Sequence, residues 1–165
     1  MNFWVRMFKN DFPIFEKHKV LIYLNSAATA QKPQIVIDSI KEYYENFNAN
    51  VHRGSDELSI ESEKIYNSTR KKIANFINAM EDEIVFTKSC TEAINIVANG
   101  FNWNKGDKIV VAINNHHSNF VPWKMLERHG VEIGVLDIDS DGNIIIDEDK
   151  IKGAKVLAIT HLSNV

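Results

Sequence analysis

Three short groups of residues carry side chains suited to chemistry. Ser89, Cys90 and Thr91 stand between an apolar run, Ile84-Val85-Phe86, and a segment that places Ala93, Ile94, Val97, Ala98 and Phe101 on one stripe of 3.6-residue period. A strand, a tight polar turn and a helix start together make an anion site. The first helical N–H groups lack intrahelical acceptors, and that end of the dipole is positive. A phosphate would be held by main-chain donors with the Ser89 and Thr91 hydroxyls, although the same residues also serve as a plain helix cap. His116, His117, Ser118 and Asn119 follow the apolar run Lys108 to Ile113. In open α/β sheets ligands bind beyond the carboxyl ends of strands, so this cluster lies where chemistry is expected. Ser118 equally suits the cap of a helix running to His129. His52 and Arg53 share the loop Asn48 to Ser55, where such a pair is ordinarily a surface feature.

A fourth group imitates a metal site. Asp137 to Glu148, DIDSDGNIIIDE, has acids at its first, third and fifth positions, Gly142 at the sixth and Glu148 at the twelfth, as calcium loops do. Those loops lie between amphipathic helices, whereas VEIGVL before Asp137 is strand-like, and Asp-Gly suits a tight turn between extended segments. We read it as a turn and expect no metal.

The elements that position these groups alternate. Pro13 should end any helix begun in the first residues, leaving an arm or short helix. Tyr23 to Lys32 is a short extended piece followed by small residues. Pro33 suits the first turn of a helix with Ile35, Val36, Ile37, Ile40, Tyr43, Tyr44 and Phe47 on a broad apolar face. Leu58 to Asn78 reads as a second long helix, with Ile65, Thr69, Ile73, Phe76 and Ile77 inward. KIVVAI is an unbroken apolar strand of the kind covered on both faces in a parallel sheet. Further strands are expected at Val131 to Leu136 and Lys155 to Thr160, with a short helix near Asp147 to Ile151. With Ile84 to Phe86 as the first strand, the order is βαβαβαβ, an α/β fold with a mostly parallel sheet and flanking helices.

Composition bounds the possibilities. The chain of 165 residues is 44% apolar, enough for a real core, and its net charge of −3 gives no electrostatic case for nucleic acid. No apolar run approaches the ~18 residues of a membrane span. The first residues carry charges too early and lack a small-residue cleavage site, so no signal peptide is expected. One cysteine excludes an internal disulfide framework and fits a reducing, cytoplasmic setting.

YLNSAATAQKP, NVHRGSDELS, FTKSCTEAINIVAN, NNHHSNFVPW and ITHLSNV, in this order, resemble the N-terminal part of the SufS-like cysteine desulfurases. These belong to the class V aminotransferase group of pyridoxal-phosphate enzymes with the type I fold. The similarity runs from about Asp11 to Val165. It implies an arm and small-domain segment at residues 1–32 and an incomplete large, cofactor-binding domain at residues 33–165. It implies pyridoxal 5'-phosphate as cofactor, with Cys90 and Thr91, beside Ser89, at the phosphate. His116 would stack on the pyridine ring and take part in proton transfer, and Asn164 would lie near the phenolic oxygen. Ala27 and Ala28 would line the substrate pocket, and His52 its entrance. The implied reaction turns L-cysteine into L-alanine and an enzyme persulfide that passes to a sulfur-acceptor protein for iron–sulfur cluster assembly, in a homodimer.

Two substitutions depart from the family pattern: Asn25 for its usual aspartate and Asn115 for its usual acid. The family's lysine, pyridine-pairing aspartate, persulfide cysteine and carboxylate-binding arginine have no match here. The resemblance therefore implies an N-terminal portion that is inactive alone. Lys150, Lys152 and Lys155 fall in no matching motif, and Cys90 matches a phosphate position rather than the sulfur acceptor. Without later strands, Ile84 to Thr87 would lack neighbours, leaving the chain marginal, rearranged or completed by another chain. Other class V activities, or a non-catalytic split subunit that binds a partner, are the alternatives.

Overall fold

A computed structural model of the chain describes residues 8–163. The chain folds as two compact units, Met1–Val85 and Phe86–Val165.

The first unit is helical. Helix α1 (Pro13–Lys17) has the proline in its first turn, so Pro13 opens this helix as well as closing off what precedes it. The main-chain N–H of Gln34 donates to the Asp11 carbonyl at 2.7 Å, tying the start of α2 (Gln34–Asn46) to the segment before α1. Helix α3 (Glu57–Ile77) is capped at both ends. The Asp56 carboxylate accepts from Ser59 N at 3.0 Å and Ser59 Oγ at 2.7 Å, and Asn78 closes the helix in the left-handed conformation, φ 57°. Those bonds from the Ser59 hydroxyl and backbone hold the Asp56 carboxyl below its ordinary pKa. The Ser62 hydroxyl donates to the Phe47 carbonyl, linking α2 to α3.

The buried residues of α3 are Ser59, Ser62 and Ala74. The face expected to be inward is not: Phe76 is 90% exposed, and Ile65, Ile73 and Ile77 are exposed as well. On α2, likewise, Ile35, Ile40 and Tyr44 stand in the open. Periodicity identified an apolar stripe in each helix. The side chains that α3 buries are small ones, Ser59, Ser62 and Ala74.

The second unit carries the sheet. Strands β1 (Lys108–Ala112), β2 (Glu132–Leu136) and β3 (Ala154–Ala158) are all parallel, in the order β2-β1-β3. This is the α/β fold expected, with β1 central and Ile109 to Ala112 wholly buried. Helix α4 (Cys90–Gly100) lies before β1, and its Ala98 joins Ile109, Val111, Trp123, Leu126, Val131 and Ala158 in the core. The Trp103 indole N–H donates to the Ala98 carbonyl at 2.6 Å and seals the end of α4.

Two expectations need correction. Ile84 to Phe86 form no strand, and Val85 is 72% exposed. An extended segment becomes a strand only when it pairs with another strand, and this one takes no place in the sheet β2-β1-β3. The expected helix from Ser118 to His129 is broken into a 3₁₀ turn (His117–Asn119), a four-residue helix α5 (Val121–Lys124) and a second 3₁₀ turn (Met125–His129) ending at Gly130, φ 80°. Pro122 in the first turn of α5 has no N–H to continue the ladder from the segment before it.

The acidic loop is a turn, as read from the sequence. Ile138 and Ile144 form an antiparallel bridge, and the Asp139 carboxylate accepts from Asp141 N, Asn143 N and Asn143 Nδ2 at 2.8–3.0 Å. The Asn143 bonds hold Asp139 below the usual carboxylate range. Helix α6 (Glu148–Ile151) then leads into β3. Asp107, just before β1, is also held low, by the Asn104 N–H and by the Lys155 ammonium 2.8 Å away.

Candidate functional site

The start of α4 is built by reciprocal bonds. Ser89 is extended (φ −163°, ψ 163°), and its Oγ accepts from Glu92 N at 3.2 Å. The Glu92 carboxylate reaches back to accept from Lys88 N at 2.5 Å. The serine caps the helix, and the acid ties the residue before the cap to the positive end of the dipole. Ser89 is thus a helix cap, and its hydroxyl keeps a proton to donate. The cap uses the third N–H of the helix and leaves those of Cys90 and Thr91 with no protein acceptor among the described residues. Two main-chain donors beside the Thr91 hydroxyl and the exposed Cys90 thiol therefore stand at the positive helix end.

His116 comes to the same place from the sheet. It follows the carboxyl end of β1 and begins the 3₁₀ turn His117–Asn119, which its own ring caps by accepting from Ser118 N. The residue capping this turn is His116, not Ser118. The ring stands edge-on to His117, centroids 6.3 Å apart. Thr91 and Asn95 of α4, with His116, His117, Ser118, Val121, Pro122 and Met125, line one open cavity of about 380 Å³. The helix start and the imidazole, 25 residues apart in sequence, share a wall (residues 91 and 116).

Asn115 fixes that arrangement. Its Nδ2 donates to the Ala158 carbonyl at 2.8 Å and the Asn119 carbonyl at 3.1 Å, while its Oδ1 accepts from Thr160 Oγ1 at 2.9 Å. One amide clips the end of β1 to the end of β3 and closes the turn carrying His116. The Ser163 hydroxyl adds a bond to the Asn114 carbonyl at 3.0 Å. Asn119 is structural too, accepting from the Trp123 indole at 3.1 Å.

The remaining predicted residues lie in the first unit or outside the described residues. Ala27 and Ala28 sit in an exposed turn in which Ala28 N donates to the Asn25 carbonyl at 3.1 Å and the Tyr23 hydroxyl bonds the Thr29 carbonyl at 2.5 Å. His52 adopts a left-handed backbone, φ 84°, with its ring edge-on to Tyr66 at 5.1 Å. Asn164 lies outside the described residues. Asn95 was missed from sequence, although it stands one helical turn from Thr91 and bonds its carbonyl at 2.9 Å. Among the described residues no group of His, Cys, Asp and Glu is placed to hold a metal, and no helix is long and apolar enough to cross a membrane.

The aminotransferase class-V family profile matches residues 22–165. The chain belongs to that family. Among its relatives, this class V chain is 42% identical over 161 residues to a probable cysteine desulfurase of Pyrococcus abyssi, covering 94% of the chain and 39% of the relative. It is 45% identical over 163 residues to one of Treponema pallidum, covering 96% and 40%. Its fold matches the apo structure of the cysteine desulfurase of Thermococcus onnurineus with a TM-score of 0.85 at 38% identity, over 95% of the chain and 40% of that structure. A cysteine desulfurase of Escherichia coli matches with a TM-score of 0.77 at 31% identity, over 97% and 42%. This class V chain thus spans about 40% of the length of the relatives it matches.

Proposed function

We propose that this class V chain is the N-terminal, cofactor-holding portion of a SufS-like cysteine desulfurase that uses pyridoxal 5'-phosphate. One observation carries the reading: the unpaired N–H groups at the start of α4 and the His116 ring border the same region, with Thr91 and His116 on a single cavity. Two preset donors and a positive helix end suit a phosphate dianion, and a flat imidazole suits the face of a pyridine ring. When bound, the cofactor supplies the electron sink for bond cleavage next to the amino group of cysteine. The chain's part is to orient it. Cys90 and Thr91, with the Ser89 hydroxyl, hold the phosphate, while His116 covers one ring face, excludes water and carries a proton at Nε2. Asn164 near the phenolic oxygen, Ala27 and Ala28 at the substrate pocket and His52 at its entrance complete the proposal, with residues 1–32 as arm and residues 33–165 as part of the large domain.

The lysine that bonds the cofactor is supplied from elsewhere in this reading. Lys150 is engaged with the Val135 carbonyl at 3.0 Å and Asp137 at 3.3 Å, and Lys155 with Asp107. The whole enzyme would release L-alanine from L-cysteine, carry the sulfur as a persulfide to an acceptor protein for iron–sulfur cluster assembly, and act as a cytoplasmic homodimer. These 165 residues alone would be inactive.

The test is a binding titration that compares pyridoxal 5'-phosphate with pyridoxal. The phosphate form should bind more tightly, and Thr91→Ala should weaken it by about 10- to 100-fold, the worth of one hydrogen bond to a charged group. Equal binding of both forms removes the phosphate site. Alanine formation from cysteine by a protein that extends beyond residue 165 tests the activity. A second reading, a non-catalytic subunit that binds a partner chain, is favoured by the apolar side chains exposed along α2. A yellow, cofactor-bearing complex on mixing with a separately encoded C-terminal half would support it.

A further inference from the structure

We propose that Ser118 is a positioning residue that fixes His116 as its Nε2–H tautomer, so that the neutral imidazole offers a hydrogen-bond donor, not an acceptor, to whatever occupies the cavity beside Thr91 and Asn95. Nδ1 of His116 accepts from the Ser118 main-chain N–H at 3.2 Å and lies 2.9 Å from Ser118 Oγ. A backbone N–H has no lone pair, so Nδ1 must present one. A neutral imidazole holds a single N–H, which is therefore on Nε2. The hydroxyl, free to rotate, can donate to Nδ1 or accept from it, so the main-chain N–H is what selects the tautomer. The opposite tautomer would set one N–H against another and lose the cap of the turn.

The geometry holds this choice in place. His116 is the first residue of its turn (φ −57°, ψ 147°), the Asn119 N–H bonds the His116 carbonyl at 2.8 Å, and the Asn115 amide holds the Asn119 carbonyl. Nε2 has no protein partner among the described residues, while the ring lines the cavity. With the free N–H groups of Cys90 and Thr91, the ligand-facing groups are hydrogen-bond donors at two separate places. The ligand chemistry that fits, which rests on the function proposed above, is an anion with acceptors at both: a phosphate at the helix start and a second oxygen or sulfur lone pair at the imidazole.

The test is long-range ¹H–¹⁵N spectroscopy of the histidine rings in the full chain, at about pH 8.5, where free imidazole is neutral. The variant H116Q identifies which of the six histidine patterns is lost. Nδ1 of His116 should show the unprotonated signature and Nε2 the protonated one. Ser118→Pro, which deletes the N–H that donates to Nδ1, should move the tautomer ratio about 2- to 10-fold towards the Nδ1–H form, the worth of one net hydrogen bond, while Ser118→Ala, which keeps that N–H, should leave the Nε2–H form in place. An averaged ring like that of free histidine, an Nδ1–H pattern, or no change in Ser118→Pro each overturns the proposal. The measurement uses neither cofactor nor turnover. Its failure leaves the proposed function standing, and failure of cofactor binding leaves the tautomer result standing.

Discussion

Replacing Asn115 by aspartate, an acid of nearly the same shape, isolates the worth of one amide. The two Nδ2 bonds, to the Ala158 and Asn119 carbonyls, are lost in Asn115→Asp, while the Thr160 hydroxyl can still donate to the new carboxylate. Each lost bond is worth about 0.5–1.5 kcal/mol net, and the half-buried carbonyls left facing a charge add to the cost. The expected destabilisation is roughly 2–4 kcal/mol. At about 2–4 °C per kcal/mol for a chain of this size, the thermal midpoint should fall by roughly 5–15 °C at pH 7. The pH dependence carries the sign. A carboxyl aimed at two carbonyls has its folded-state pKa raised above the unfolded value, because only the protonated form can donate. The deficit is therefore full above that raised value and shrinks as pH falls through it. Scanning calorimetry of both proteins from pH 7 to about pH 4 measures this. An aspartate variant within ~0.5 kcal/mol of the parent at neutral pH, or a deficit that does not narrow on acidification, would refute the clip.

Other outcomes follow from the same structure. Asp56, Asp107 and Asp139 are each held below the ordinary carboxylate range, so their contribution is complete above the unfolded-state pKa and lost as pH falls through the lower folded values. Thermal midpoints should stay level down to about pH 5 and drop most steeply below about pH 4. Ile109→Ala empties a wholly buried position in β1 and should cost about 2–5 kcal/mol in denaturant unfolding. Gly54→Ala drives a methyl group into the Ser59 side chain, so it should loosen the cap of α3 and lower helical circular dichroism on heating before the parent changes. Gly130→Ala puts a side chain at φ 80° against Lys105 and should cost ~1–2 kcal/mol, read as a shift in the urea midpoint at unchanged slope.

What could be read from sequence followed how local the cause was. KIVVAI announced a strand because burial on both faces demands an unbroken apolar run, and Ser89 announced a helix start because its cap partner is three residues on. Ile84 to Phe86 has the same apolar look as β1 but lies outside the sheet β2-β1-β3, and strand character depends on pairing within a sheet. The stripes of α2 and α3 were visible, yet periodicity does not say what covers a face, and Phe76 is exposed. At the site, Ser89 to Thr91 and His116 were legible as residue types. Their shared cavity was not, and neither was the Asn115 clip, whose partners Ala158 and Thr160 lie more than forty residues later in the chain. The broken helix after Asn119 turns on Pro122, which a stricter reading of proline would have marked.

The central place of β1 has a consequence for biosynthesis. The first strand to leave the ribosome is the one that needs a neighbour on each side, and those neighbours arrive only when Glu132 and then Val156 have been translated. At about 5–20 residues per second the interval is seconds. Through that time a fully apolar ribbon, Ile109 to Ala112, is without the strands that pair with it in the finished sheet, an interval in which unpaired strand edges invite association with other chains.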